Sequence, residues 1–435
     1  MVIVRRGVRC RMERERKPII ESLQELIRVP SVVGEEKPAQ EVVLRRFRSM
    51  GMQTDVWEIN LEDLEGHPGS LMRPGYHRLK VSTDPLKEPS KVDQSLYDGR
   101  PNVVGILRGS GGGRSLLLNG HIDTVSAGPI SLWRHDPWGG ELEEGRIYGR
   151  GACDDKGGIA AMTLALDFIQ REDISLKGDV ILESVVDEEG PGFGTLGCVV
   201  RGYKADGGIV VEPTGDGIIH IASTGTSQFS MVIRGKGAHS STTWEAISAI
   251  EKAMKIYEAL KALEEHWAQT MSHRLYPRWS PTYLGALRAG IEEATLDGKI
   301  RLLPGVRLEA LKEEFEAQVE RAAQNDPWLR DHPPETRWTI VGRESSESPE
   351  DHPLVQLLAQ EIEAITGKPA TFEGASANDM PFPINHAGIP TVLYGPGDVR
   401  VTHAADEYVT VDSLITCVKV LASFMLDWCG YEAAS

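Results

Sequence analysis

Four short apolar runs constrain this chain more than any other feature: Asn102–Leu107, Ser115–Leu118, Asp179–Val186 and Gly208–Val211. Strands that read as continuous rather than alternating apolar runs are buried on both faces, as in sheets sandwiched between helices. Between the second and third runs lies IAAMTLALDFI, which puts Ile159, Met162, Leu166 and Ile169 on one face of a helix. Strands alternating with helices predict an α/β fold: a mixed, mostly parallel sheet with helices on both faces. Ile19, Ile20, Leu23, Leu26 and Ile27 predict an earlier helix stopped by Pro30, and Thr410 predicts a cap on a final helix, Val411–Trp428.

A single core rarely grows to 435 residues, so two domains are expected. After Glu212 the texture changes to FSMVIRG (strand), AISAIEKAMKIYEALKAL (helix), GKIRLL (strand) and VRLEALKEEFEAQVERAA (helix). That order suits a small inserted α+β domain of split βαβ, ferredoxin-like type. The expected division is a discontinuous catalytic domain of residues 1–216 and 345–435, with the insert at 217–344. The stretch Leu61–Arg100, rich in Pro, Gly and charge, is expected to be a long surface loop.

Polar clusters stand where the apolar runs end. LLLNGHIDTV places His121 and Asp123 beyond one strand, and GRGACDDKGG places Asp154 and Asp155 just before the helix. LESVVDEEG places Glu188 and Glu189 at the end of the third strand, IVVEP ends the fourth with Glu212, and THAADEY carries His403. Ligands of open α/β sheets collect at the carboxyl ends of the strands. Imidazoles mixed with carboxylates suit zinc or a similar divalent ion. Two adjacent carboxylates at the mouth of a core strand repel unless a cation or proton separates them.

With these motifs the chain resembles the zinc-dependent amidohydrolases and metallopeptidases that include acetylornithine deacetylase, succinyl-diaminopimelate desuccinylase, glutamate carboxypeptidase and the aminoacylases. The resemblance rests on G-H-I-D-T-V, G-R-G-A-C-D-D-K-G-G, D-E-E-G, E-P-T and H-A-A-D-E-Y-V, and spans nearly the whole chain. It implies two divalent metal ions, zinc first, with cobalt or manganese as substitutes. One would be held by His121 and Glu212, the other by Glu189 and His403, with Asp154 bridging. Asp123 would orient the His121 ring, and the Asp154–Asp155 peptide bond would be cis. Glu188 would be the general base and His239, in GKGAHSS, the stabiliser of the tetrahedral oxyanion. The implied activity is water attack on the amide bond of a small N-acylated substrate, with no covalent acyl-enzyme. A metallo-exopeptidase or dipeptidase using the same residues is the alternative, and a non-catalytic metal-binding scaffold a third reading. The inserted domain would be a lid through which two copies form a homodimer.

Two departures from the family pattern bear on substrate. Relatives carry an arginine late in the chain that grips a substrate carboxylate; here Gly374–Met380 reads GASANDM, with none. A guanidinium fork is what binds a carboxylate bidentately, so an α-carboxylate substrate is disfavoured, with Arg288 the candidate substitute. The lid also lacks the relatives' Asn-x-Val-Pro stretch. The loop HWAQTMSHRLYPRW, with His266, Trp267, His273 and Trp279, reads as a substrate wall, an oligomer contact or packing against the catalytic domain.

A formal net charge of −17 argues against nucleic acid and anionic membrane surfaces as partners, leaving a small-molecule substrate. Five scattered cysteines (Cys10, Cys153, Cys198, Cys417, Cys429) without a C-x-x-C pair read as free thiols in a reducing compartment. The N-terminus lacks the apolar run of a signal peptide, and Met12 is a candidate start. No stretch approaches the roughly 18 apolar residues of a membrane span. A cytoplasmic location is expected.

Overall fold

The computed structural model of the chain describes residues 11–70 and 94–433. The chain divides into two compact units: the first takes in residues up to Glu65, the described residues from Gln94 to Ala222, and Glu347 onward; the second is Ser223–Ser346 with Gly66–Ser70.

In the first unit, α1 (Arg16–Ile27) and α2 (Lys37–Ser49) precede β1 (Gln53–Glu58) and β2 (Pro101–Leu107). Then come β3 (Leu116–His121), α3 (Lys156–Gln170), β4 (Val180–Val185), α4 (Phe193–Arg201), β5 (Gly207–Val210) and β6 (Ile218–Ser223). The second unit contributes β7 (Gly225–Arg234), α5 (Ala249–Thr270), β8 (Thr282–Ala289), β9 (Glu293–Leu302), α6 (Leu308–Gln324) and β10 (Glu335–Arg343). The chain then returns to the first unit through α7 (Pro353–Thr366), β11 (Thr371–Ala375), β12 (Thr391–Leu393) and α8 (Val411–Cys429). Thr410 caps α8 as expected, its side chain accepting from the Ser413 amide.

The sheet of the first unit runs β1-β2-β4-β3-β5-β12-β6, with β11 also paired to β6. β4, β3, β5 and β12 are mutually parallel, whereas β1, β2 and β6 join antiparallel. The apolar run at 102–107 is therefore an antiparallel flank of a parallel centre. Every residue of β3, β4 and β5 is buried. Alternation along β3 shows what covers each face: Asn119 hydrogen-bonds Thr195 of α4, while Gly120 faces Ile159 of α3.

The second unit is a four-stranded antiparallel sheet, β8-β9-β7-β10, with α5 and α6 sharing its core. It contains two strands that the sequence reading lacked, β8 and β10. With them the order is strand-helix-strand-strand-helix-strand, the full split βαβ arrangement. Trp267 is fully buried in this core and donates its indole N–H to Glu314 Oε2 at 2.7 Å, so it packs internally rather than forming a substrate wall.

The expected loop Leu61–Arg100 is partly structured. Leu61–Leu64 is a helical turn with both leucines buried, and Tyr97 and Arg100 are buried at its far end. Residues 71–93 of that expectation, and Cys10, lie outside the described residues.

Candidate metal centre

β3 ends on His121, so a strand locked in the middle of a parallel sheet fixes the position of that imidazole. Its Nδ1 contacts the main-chain oxygen of Asp123 at 2.9 Å, while the Asp123 carboxylate is 3.6 Å away. That carboxylate instead accepts the amides of Glu188 (3.3 Å) and Glu189 (3.1 Å). Asp123 thus orients the ring mainly through its backbone and ties it, through its side chain, to the turn after β4.

Nε2 of His121 lies 2.9 Å from Asp154 Oδ1 and 3.5 Å from Glu212 Oε1. On the other side, His403 Nε2 lies 3.2 Å from Asp154 Oδ2 and 2.9 Å from Glu189 Oε1. The two oxygens of Asp154 therefore face two different imidazoles. Donor atoms fall into two groups, His121 with Glu188 and Glu212, and Asp154 with Glu189 and His403, each spanning no more than 4.8 Å. The Asp154–Asp155 peptide bond is cis.

Glu407 was missed by sequence reasoning. Its Oε1 accepts the amides of Cys153 (3.0 Å) and Asp154 (3.1 Å), and its Oε2 accepts from Arg150. It holds the Asp154 turn from behind. No signal in the sequence marks it, because its partners lie 254 and 253 residues away. Asp155 is also buried; Oδ2 accepts the His121 amide at 3.3 Å and Oδ1 has no hydrogen-bond partner among the described residues.

Burial alone would lower the basicity of His121, but the Glu212, Asp123 and Asp154 carboxylates lift it well above the usual imidazole range. Hydrogen bonds donated to the Asp154 and Glu189 carboxylates push His403 up to about 10. Burial opposes the charge on Asp154, yet the two imidazoles hold it well below the usual carboxylate range. Burial, with Asp154 nearby, raises Glu212. The cluster draws positive charge: without a cation it holds protons, and divalent ions would displace them. Among the described residues, no Lys or Arg pairs with Asp123, Asp154, Glu189 or Glu212. Burial pushes the neighbouring Cys153 thiol far up, so it is no thiolate nucleophile.

Residues 117–427 match the profile of peptidase family M20/M25/M40. The chain belongs to that family. As an M20 hydrolase it is 33% identical over 365 residues to an N-formyl-4-amino-5-aminomethyl-2-methylpyrimidine deformylase of Halalkalibacterium halodurans, covering 78% of this chain and 85% of the relative. The Bacillus subtilis protein of the same description is 33% identical over 364 residues, covering 77% and 84%. Human carnosine dipeptidase 1 shares the fold with a TM-score of 0.72 at 14% identity, over 98% of this chain and 99% of that one. An M20 metallo-carboxypeptidase of Sulfolobus solfataricus does so with a TM-score of 0.69 at 16% identity, over 94% and 98%.

His239 belongs to the second unit, where its exposed ring meets Ser241 Oγ at 2.7 Å through Nδ1. Arg288, the candidate carboxylate-binder, pairs with Asp297 across β8 and β9. No helix of the described residues is long and apolar enough to cross a membrane.

Proposed function

We propose that this M20 hydrolase is a two-metal deacylase that removes a formyl group from an N-formylated aminomethyl-pyrimidine or a close relative of it. The observation that carries the amidohydrolase reading is Asp154, whose two oxygens each face a separate imidazole-carboxylate set. His121 and Glu212 would hold one divalent ion, Glu189 and His403 the other, with Asp154 between them. Zinc suits this donor set, with cobalt or manganese as substitutes. When bound, the ions supply Lewis acidity to the scissile carbonyl and acidify water. Glu188 takes the proton of the attacking water and returns it to the departing amine. Asp123, accepting both amides of the Glu188–Glu189 pair, holds the base in place. On the family resemblance, His239 is assigned to the oxyanion.

The substrate class follows from the two deformylase relatives and from the 374–380 stretch. Asn378 there folds onto its own segment, Nδ2 donating to the Ser376 carbonyl and Oδ1 accepting the Met380 amide. With no arginine in that stretch and Arg288 engaged by Asp297, a substrate without a carboxylate fits best. A cytoplasmic setting fits the buried free thiols of Cys153, Cys198, Cys417 and Cys429. We also infer a homodimer through the second unit. Among the described residues its strand β8 pairs only with β9, and Leu287 and Ile291 beside that edge are exposed, as are Ile250 and Met254 of α5.

The test is amine release from N-formyl, N-acetyl, N-succinyl and N-carbamoyl compounds and several dipeptides, in the presence of zinc or cobalt. The N-formyl aminopyrimidine is expected to be cleaved fastest. Glu188→Gln should lower kcat on the order of a thousandfold with metal content nearly unchanged. Cleavage of dipeptides alone would move the chain to the exopeptidase reading.

A further inference from the structure

The turn that carries Glu188 is anchored by its first residue. Asp187 follows β4 with a φ of 75°, a left-handed conformation uncommon for a residue other than glycine. Its main-chain oxygen accepts the amides of Gly190 (3.2 Å) and Gly192 (2.8 Å), closing the turn on itself. Its carboxylate faces inward and is almost fully buried: Oδ2 accepts the Tyr97 hydroxyl and the Phe193 amide, each at 3.2 Å. Oδ1 lies 3.5 Å from Arg100 Nη2. Arg100, 5% exposed, is in turn held by the fully buried Glu36, with Nε 3.0 Å from each Glu36 oxygen and Nη2 2.6 Å from Oε1. A buried ionic group of this kind adds little net stability compared with an apolar replacement, so its cost calls for another use.

We propose that Asp187 is the positioning residue for the general base, with Tyr97 and Arg100 as its anchors; this rests on the reading of Glu188 as that base. The turn is clamped twice. Asp123 grips the Glu188 and Glu189 amides from the side of β3, and Asp187 fixes the point where the chain leaves β4. With only one clamp, the Glu188 carboxylate would swing about the strand end. A displacement of about 1 Å in a catalytic group can cost on the order of a hundredfold in rate.

Asp187→Gly keeps the left-handed backbone accessible and removes the carboxylate; Asp187→Asn keeps an acceptor for Tyr97 and Phe193. In the zinc-loaded enzyme, Asp187→Gly is expected to lower kcat at least tenfold, with KM within twofold and two metals per chain retained. Asp187→Asn should recover most of that loss. In the metal-free protein, hydrogen exchange at amides 188–193 should accelerate more than tenfold in Asp187→Gly alone. Tyr97→Phe, which deletes a single hydroxyl, should lower kcat about threefold, and it decides the matter should the glycine variant fail to fold. The proposal is overturned if Tyr97→Phe and the folded Asp187→Gly keep kcat, or if kcat falls only in step with metal content. Glu188→Gln run alongside separates the causes: if it retains turnover, the base assignment has failed, not the clamp.

Discussion

Glu183 stands in β4 with its side chain toward α4, one oxygen accepting from Asn119 Nδ2 at 2.9 Å. Burial, together with the nearby Asp379 charge, raises its carboxyl to about 7 against hydrogen bonds from Asn119 and Cys198 that pull it down. The folded chain thus holds this proton more tightly than the unfolded chain, whose value is near 4.5. Its contribution to stability is complete below that value and is lost as pH rises through about 7. Between pH 5.5 and 8, Glu183→Gln should gain about 2 kcal/mol on the parent chain in denaturant unfolding. Parallel stability curves would sink that expectation. At this scale His121, Glu188, Glu189 and Glu212 stood out because each closes or follows an apolar run and Asp154 because it precedes a helical one, while their roles, and that of His403, came from the family resemblance. Glu407, Arg100 and Asp187 did not stand out, because what gives them meaning is a partner distant in sequence: Glu407 under the Asp154 amide, Arg100 between Glu36 and Asp187.

The elements that carry the centre depend on close approach as much as on apolar pattern. Gly158, in the first turn of α3, has no room for a side chain: a Cβ there would lie 2.2 Å from both Asp155 Oδ1 and the Val211 carbonyl. The helix can therefore descend onto the end of β5 and present the Asp154 turn beside Glu212. Gly158→Ala should cost about 1–3 kcal/mol and weaken zinc binding at least tenfold, read by thermal unfolding and by metal titration. Wild-type values in both would show that α3 can shift freely. Helices α3 and α8 and the core strands were readable from periodicity, since burial acts on each residue in turn. β8 and β10 were not, because both pairings carry a register irregularity, between Leu284 and Ala286 in β8 and opposite Ser227 and Phe229 for β10. An irregularity of this kind slips the two-residue alternation onto the other face, and the pattern no longer reads as a strand.

For the whole molecule, the open edge of β8 leads to a prediction about assembly. Leu287→Lys places a charge on that edge, and sedimentation should show dimer dissociation at a concentration at least tenfold higher, with thermal unfolding little changed. A parent chain that is monomeric at micromolar concentration would refute the dimer. The sequence by itself determined the parallel-centred sheet, the presence of an insert and the identity of the polar residues at the strand ends. Burial of continuous apolar runs and helical periodicity are local properties that a single chain displays. Only the tertiary structure decided that the run at 102–107 is antiparallel, that Tyr97 and Arg100 turn inward and that Trp267 is core. It alone split the oxygens of Asp154 between His121 and His403, residues 282 positions apart (403 − 121). Those outcomes depend on which groups meet across the fold, and contacts between remote residues leave no periodic trace along the chain.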